Sequence, residues 1–565
     1  MPDLKAKPFY LTDEDVQWVE TTIASMTLDE KIGQLFCLNF RDGTPDEMDR
    51  VLQVMTPGGG MYRSIPVKNA VDFSNRLKEK CRIPMLIAAN LEKGGIGIIQ
   101  EGTLYATEME VAATADPEMA AHLGEICAVE GGAVGANWSF APIIDIDSNF
   151  HNPITNTRTF GSNPETVREM ALAYIRELQS RGLAASIKHF PGDGQDERDQ
   201  HLVTSINSMS TDEWDATYGM VYKACIDAGA KTVMAGHIMQ PAYSRKLNPG
   251  IRDEEILPAT LSKELLQGLL RGKLGFNGLI VTDDTVMVGF MVPMPREKAV
   301  PLAIENGADM FLFVNNLRED FEFMKQGYLN GVLSEKRLDE ALHRILGLKA
   351  SLGLHKAKAE LSCEKALETA SSPIHKEWAR ECADKAITLV KEEAGVLPIT
   401  PERYPRILLF PIEESGGTGL YTAKTGTCRY IGEKLRQEGF EVSEFVPPTG
   451  NEKDGTATKE MISKYDLLIY VASLTTKSNQ TVVRITWTQP RGSNAPRYIN
   501  MIPTIFISTE NPYHLMDVPR VKTFINTYNS DEVTLDQLVE KLIGRSDFKG
   551  KSPVDAFCGR WDTHL

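Results

Sequence analysis

The sequence predicts an α/β protein: a (β/α)8 TIM-type barrel followed by an αβα-sandwich domain of flavodoxin-like order. Three observations carry this expectation. Between about residues 30 and 350, short apolar runs alternate with amphipathic stretches at helical spacing. There are about eight such runs, the number that closes a barrel. Near residue 386 a second series of strands and helices begins, in a chain of 565 residues that is too long for one ordinary core.

The eight barrel strands are expected at K-I-G-Q-L-F-C-L-N (31–39), G-G-G-M-Y (58–62), P-M-L-I-A-A-N (84–90) and N-W-S-F-A-P-I-I-D (137–145). The remaining four are A-A-S-I-K-H-F (184–190), K-T-V-M-A-G-H (231–237), G-L-I-V-T-D-D (278–284) and D-M-F-L-F-V-N-N (309–316). Punctuation marks the intervening helices. Asn163 is an expected N-cap, Pro164 sits at the first helical position and Gly182 stops that helix. The stretches 262–275 and 334–349 carry apolar residues at helical spacing, which suits packing against a barrel.

The expected segmentation is a barrel over 1–351, a helical linker over 352–385 and the sandwich domain over 386–565. In the last of these, strands are expected at K-A-I-T-L-V-K, R-I-L-L-F-P-I, E-V-S-E-F-V, D-L-L-I-Y-V-A-S and T-I-F-I-S-T-E, with a helix near 531–544. Gly416–Gly419 reads G-G-T-G but lacks G-x-G-x-x-G and a following Lys-Ser/Thr, so it is read as a plain turn.

Composition narrows the function. With 42% hydrophobic and 24% charged residues the chain resembles soluble globular proteins, and a net charge of −16 argues against nucleic acid or an anionic membrane as partner. No apolar run approaches the roughly 20 residues of a membrane span. The start, M-P-D-L-K-A-K-P-F, has no apolar signal core. The eight cysteines are scattered without a C-x-x-C pair, as in reduced, buried thiols. A cytoplasmic location follows as the expectation.

In such a barrel the chemistry sits at the C-terminal strand ends. Those ends supply Asn90 and Glu92, Asp145 and Asp147, Lys188 and His189, His237, Asp283 and Asp284, then Asn315 and Asn316. A pocket of carboxylates, imidazoles and amides suits a polyhydroxylated neutral ligand. It also suits a metal. D-G-Q-D-E-R-D (193–199) lacks the order of a calcium loop, zinc spacings are absent, and no G-x-S-x-G elbow is present. Neither a metal nor another cofactor is called for. Asp283, carried to the mouth on an apolar strand, is a nucleophile or electrostatic stabiliser; capping of the next helix is its bland alternative. Asp284 points elsewhere by strand alternation.

The residues F-A-P-I-I-D-I-D, R-T-F-G-S-N-P-E, I-K-H-F-P-G-D-G with a downstream D-Q-H, and V-T-D-D-T-V-M resemble glycoside hydrolase family 3, in its β-N-acetylglucosaminidase-like branch. The resemblance runs from residue 25 to the C-terminus. It implies a retaining exo-β-glycosidase acting on a small glycan or glycoside through a covalent intermediate on Asp283. It further implies His201 and Asp199 as an acid/base dyad, and Arg158, Lys188 and His189 as sugar contacts. Asn90, Glu92 and His237 complete the expected substrate-binding set.

Two positions depart from the pattern. Asn90 stands where the family commonly has Asp, in N-L-E-K-G-G with Lys93 before the glycines, and Asp193 stands where many members have His. The first substitution loses a negative charge and adds a donor. Hydrolysis of terminal β-linked N-acetylglucosamine is the leading expectation, with a β-glucosidase or a glycoside phosphorylase as variants. A non-catalytic sugar-binding protein is the alternative from another class. The sandwich domain is expected to pack near the site or to support a homodimer.

Overall fold

The computed structural model describes residues 1–565 except 42, 357–358, 394, 415–424, 447–457, 480–482, 488, 490–491 and 561–565. The G-G-T-G turn lies outside the described residues. The chain divides into two compact units that interleave in sequence. One comprises Met1–Tyr105, Ala120–Ile146 and Pro164–Lys376; the other comprises Ala106–Met119, Asp147–Asn163 and Glu377–Leu565.

The first unit holds a parallel barrel of eight strands: β1 Phe36–Phe40, β2 Gly59–Tyr62, β3 Leu86–Ala89, β4 Trp138–Ser139, β5 Ala184–Phe190, β6 Thr232–Ala235, β7 Leu279–Thr282 and β8 Phe311–Leu312. Spatial order follows sequence order, with β8 returning to β1. Between β7 and β8 the ring is completed by a parallel bridge, Val281 to Met310. These strands are almost wholly buried runs, as parallel strands covered by helices must be.

All eight expected strands are present, β4 and β8 reduced to two residues each and β1 shifted at its start. Residues 31–34 belong to the helix Leu28–Gln34, because the Thr27 hydroxyl accepts the Glu30 N–H and Glu30 returns to the Thr27 N–H. That capping box fixes a helix where apolar residues alone suggested a strand. The helix Pro164–Ser180 ends as expected near Gly182, whose φ of +90° suits glycine. Among the described residues no helix is long and apolar enough to cross a membrane.

The second unit is built on a six-stranded sheet: β9 Thr388–Glu392, β10 Arg406–Glu413, β11 Glu441–Glu444, β12 Leu467–Ser473, β13 Thr504–Ser508 and β14 Thr523–Asn526. Its order is β9-β14-β13-β12-β10-β11. Only β9 is antiparallel, pairing with β14. β14 is the strand the sequence reading lacked, since T-F-I-N is too short to show a period. Successive residues serve opposite faces: Ile407, Leu409, Ile469 and Ile507 pack with Ile431, Leu435 and Leu538. On the other face Phe410, Tyr470, Phe506 and Phe524 stack across four strands, with centroids 4.2, 6.0 and 5.3 Å apart.

Candidate active site

The C-terminal ends of β3, β5, β6 and β7 bring most of the expected polar residues together. Lys188 and Glu92 form an ion pair of 2.7 Å, the lysine almost fully buried. Pairing makes the burial of both charges tolerable and fixes the ammonium in place. Asn90 ends β3 as an exposed side chain.

His189 is held by Asp145. Asp145 Oδ2 lies 2.6 Å from His189 Nδ1, and Oδ1 accepts the backbone N–H groups of His189 (3.0 Å) and Asp193 (2.8 Å). A carboxylate only accepts, so Nδ1 carries the proton and Nε2 faces outward. That Nε2 is 4.0 Å from Asp283 Oδ2. Asp145 was recognisable as a polar strand end, but nothing in its spacing revealed this clamp.

Asp283 follows β7, and its N–H donates to the Ala235 carbonyl (2.7 Å). Its Oδ1 accepts the Asp284 N–H at 2.7 Å. Burial raises its carboxyl, yet the imidazoles of His189, His237 and His201 and the Asp284 N–H outweigh burial and hold it below the ordinary carboxylate value. Asp283 is thus an ionised, partly desolvated carboxylate at the barrel mouth.

His201 and Asp199 form a pair within one loop. Asp199 Oδ1 accepts from His201 Nδ1 (2.7 Å) and from the His201 N–H (2.8 Å). The aspartate side chain is fully buried, whereas the imidazole is 30% exposed. The loop is firmly anchored. Its far end pairs as Ser205–Ile206 with Ile238–Met239. Asp196 grips Arg198 and accepts the Ile206 N–H at 2.8 Å, so it is a staple and not the merely solvated residue its neighbours suggest. At the near end Gly192 has φ +117°, and a Cβ there would stand 2.1 Å from the Tyr218 ring.

Asp193 acquires a role here. Beyond its N–H bond to Asp145, its Oδ1 accepts from Gly194 N–H (2.7 Å) and its Oδ2 from Gln200 Nε2 (3.3 Å). Its carbonyl accepts the Tyr218 hydroxyl at 2.6 Å. Gln200 Oε1 in turn accepts the His237 N–H at 2.8 Å. A buried chain, Asp145–Asp193–Gln200–His237, thus ties the dyad loop to two strand ends.

His237 departs from the expected ligand contact. Its Nε2 bonds the Asp284 carbonyl (2.9 Å), which only accepts, and its Nδ1 bonds the Thr260 hydroxyl (3.0 Å). Both ring nitrogens are spoken for, so this residue positions the β7 end and contributes field to Asp283. Burial pushes its pKa down, against the charge of Asp283 and the Asp284 carbonyl, which push it up. Arg158 ends the turn Asn156–Arg158 in the second compact unit, where its Nη1 donates to the Ile154 carbonyl at 3.4 Å. Asp147 belongs to that unit too, accepting from the hydroxyls of Thr155 (2.5 Å) and Tyr513 (2.7 Å). Asn316 caps the helix Leu317–Leu329.

Burial pushes the Asp284 carboxyl up to about 6; the Val286 N–H opposes this, and the charge of Asp283 adds to it. A carboxyl raised above its ordinary 3.8 binds its proton more tightly when folded, so stability falls as pH rises from about 4 to 6. Above that window the ionised group costs up to about 3 kcal/mol. Asp284→Asn is therefore expected to raise the melting temperature at pH 8 and to lose the advantage at pH 4. Scanning calorimetry at both values decides, and a variant less stable at pH 8 contradicts the account.

Comparison with known proteins places the chain among relatives. The model of the glycosyl hydrolase family 3 N-terminal domain matches residues 27–348. The chain is 49% identical over 565 residues to a β-N-acetylglucosaminidase/β-glucosidase of Cellulomonas fimi, covering the whole of both. A solved β-glucoside phosphorylase, BglX, superposes with a TM-score of 0.93 at 47% identity, covering 99% of each chain. A family 3 β-N-acetylglucosaminidase from Paenibacillus sp. str. FPU-7 gives 0.79 at 25% identity, covering 94% of this chain and 99% of that one. A family model that spans more than half of the chain, joined to a relative matched end to end, leaves one conclusion: the chain belongs to glycosyl hydrolase family 3.

Proposed function

We propose that the protein is a retaining exo-β-glycosidase that removes terminal β-linked N-acetylglucosamine or glucose from small glycans or glycosides. The observation that carries this reading is the Asp283 carboxylate at a barrel strand end, 4.0 Å from His189 Nε2, together with the His201–Asp199 pair on a neighbouring loop. Asp283 attacks the anomeric carbon while His201, as imidazolium, gives its Nε2 proton to the departing aglycone oxygen. Asp199 accepts from Nδ1 and stabilises the positive ring. The products are a glycosyl ester and a neutral imidazole. Water then loses a proton to Nε2 and attacks the same carbon, releasing the β-sugar and restoring the Asp283 carboxylate.

Lys188, held by Glu92, and His189, held by Asp145, are the proposed sugar-hydroxyl donors at the strand ends, with Asn90 as a further contact; for Arg158 that role rests on the family resemblance alone. Within the proposed catalytic barrel, 1–351, no resident cofactor takes part. The linker and sandwich assignments, 352–385 and 386–565, stand as proposals, as do a cytoplasmic setting and a homodimer.

A second reading is transfer to phosphate. A neutral imidazole base sets no like charge against an anionic acceptor, as a carboxylate base would. The 47% identical structure named a β-glucoside phosphorylase supports carrying it. An assay of aryl β-N-acetylglucosaminide and β-glucoside, with and without inorganic phosphate, tests both readings by phosphorus and proton NMR. A first-formed β-anomer is expected. Sugar 1-phosphate assigns phosphorolysis, its absence at unchanged rate assigns hydrolysis, and a first-formed α-sugar refutes retention.

A further inference from the structure

An apolar rim adjoins the proposed acid/base. Leu202, Val203, Val286, Val288, Met291 and Val292 are each 36–59% exposed. They come from two segments whose backbones are joined next to His201. The Val288 N–H donates to the His201 carbonyl (3.0 Å), the Gly289 N–H to the Gln200 carbonyl (3.2 Å), and the Thr204 hydroxyl to the Gly289 carbonyl (3.1 Å). Met287 and Phe290, between the exposed residues, are buried and anchor the short helix Val288–Met291. Soluble chains seldom keep contiguous apolar side chains in water without a use.

We propose that this rim is the leaving-group subsite, and that it takes an apolar aryl or alkyl aglycone in preference to a second sugar. The inference rests on the glycosidase reading of Asp283 and His201. An acid/base must face the oxygen that leaves, so the aglycone departs on the His201 side. The surface on that side begins at Leu202, the next residue, and continues through the segment that starts three residues after Asp283. Six aliphatic side chains offer no hydrogen-bond partner to a sugar hydroxyl, and a sugar placed there would lose water contacts without replacement. An alkyl or aryl group would instead gain by leaving water.

The test is equilibrium binding of alkyl 1-thio-β-glucosides and 1-thio-β-N-acetylglucosaminides, methyl to octyl, to the full chain by calorimetry. Full burial of a methylene corresponds to roughly fourfold in Kd, so an open rim should give about twofold per methylene. Val288→Ser and Val292→Ser, both at exposed positions, should flatten that dependence. A Kd independent of chain length in both series, or an unchanged slope in both variants, overturns the proposal. Loss of a dimer in the variants with the slope intact also overturns it and assigns the rim to contact between copies. Cleavage of the glycosyl fluorides, which have no aglycone, reads the catalytic assignment separately. A protein that shows the slope but leaves the fluorides intact keeps an apolar binding rim, and refutes the glycosidase reading and with it the leaving-group assignment.

Discussion

Replacing Asp283 with Asn is expected to lower kcat/KM on an aryl β-glycoside by on the order of 10⁴-fold, about 5 kcal/mol of barrier. The amide is nearly isosteric, but it cannot form the glycosyl ester or supply negative charge to an oxocarbenium-like transition state. Three imidazoles hold the native carboxyl ionised against its burial. The variant keeps the surrounding imidazoles but loses the anion they favour. Azide added to the variant should restore turnover and give the α-glycosyl azide, because the small anion then attacks from the vacated side. Mass spectrometry should find a sugar adduct on Asp283 in the wild type and none in the variant. An Asp283→Asn protein retaining more than a tenth of wild-type activity would falsify the nucleophile assignment.

Replacing His201 with Ala is expected to lower kcat by about 10²–10⁴-fold, the usual range for a positioned acid/base. The loss should depend on the leaving group. A dinitrophenyl glycoside departs without a proton, so its first step survives and the glycosyl-enzyme accumulates. An alkyl glycoside needs the proton and should lose both steps. Azide should again restore turnover, here giving the β-azide, since attack falls on the intermediate. Asp199→Asn should cost less, because it removes the partner that orients Nδ1–H and leaves Nε2 in place. Equal losses for both leaving groups would remove the proton-transfer role from His201.

Much of the barrel was legible because its strands are short apolar runs bounded by polar strand ends. Asp283 stood out as a charged residue at the end of an apolar strand, whereas the pairing of His201 with Asp199 was an expectation from the family resemblance. The parts that stayed hidden depend on neighbours distant in sequence. Asp193 stood out only as a departure from the family pattern, and its four backbone and side-chain bonds to Asp145, Gly194, Gln200 and Tyr218 came from the fold. His237 reads as a ligand contact at a strand end, yet Thr260 and the Asp284 carbonyl occupy both nitrogens. The first residues of the expected β1 turned helical because one capping box outweighed a run of apolar side chains.

The sequence by itself determined the α/β class and the strand-end positions, since both follow from periodicity and from residue types read along the chain. Tertiary structure alone decided the interleaving of Ala106–Met119 and Asp147–Asn163 with the C-terminal unit. It also decided the protonation of the site. Whether Asp283 is ionised depends on burial set against imidazoles on β5, just past β6 and in a loop, and these come together only once the barrel has closed.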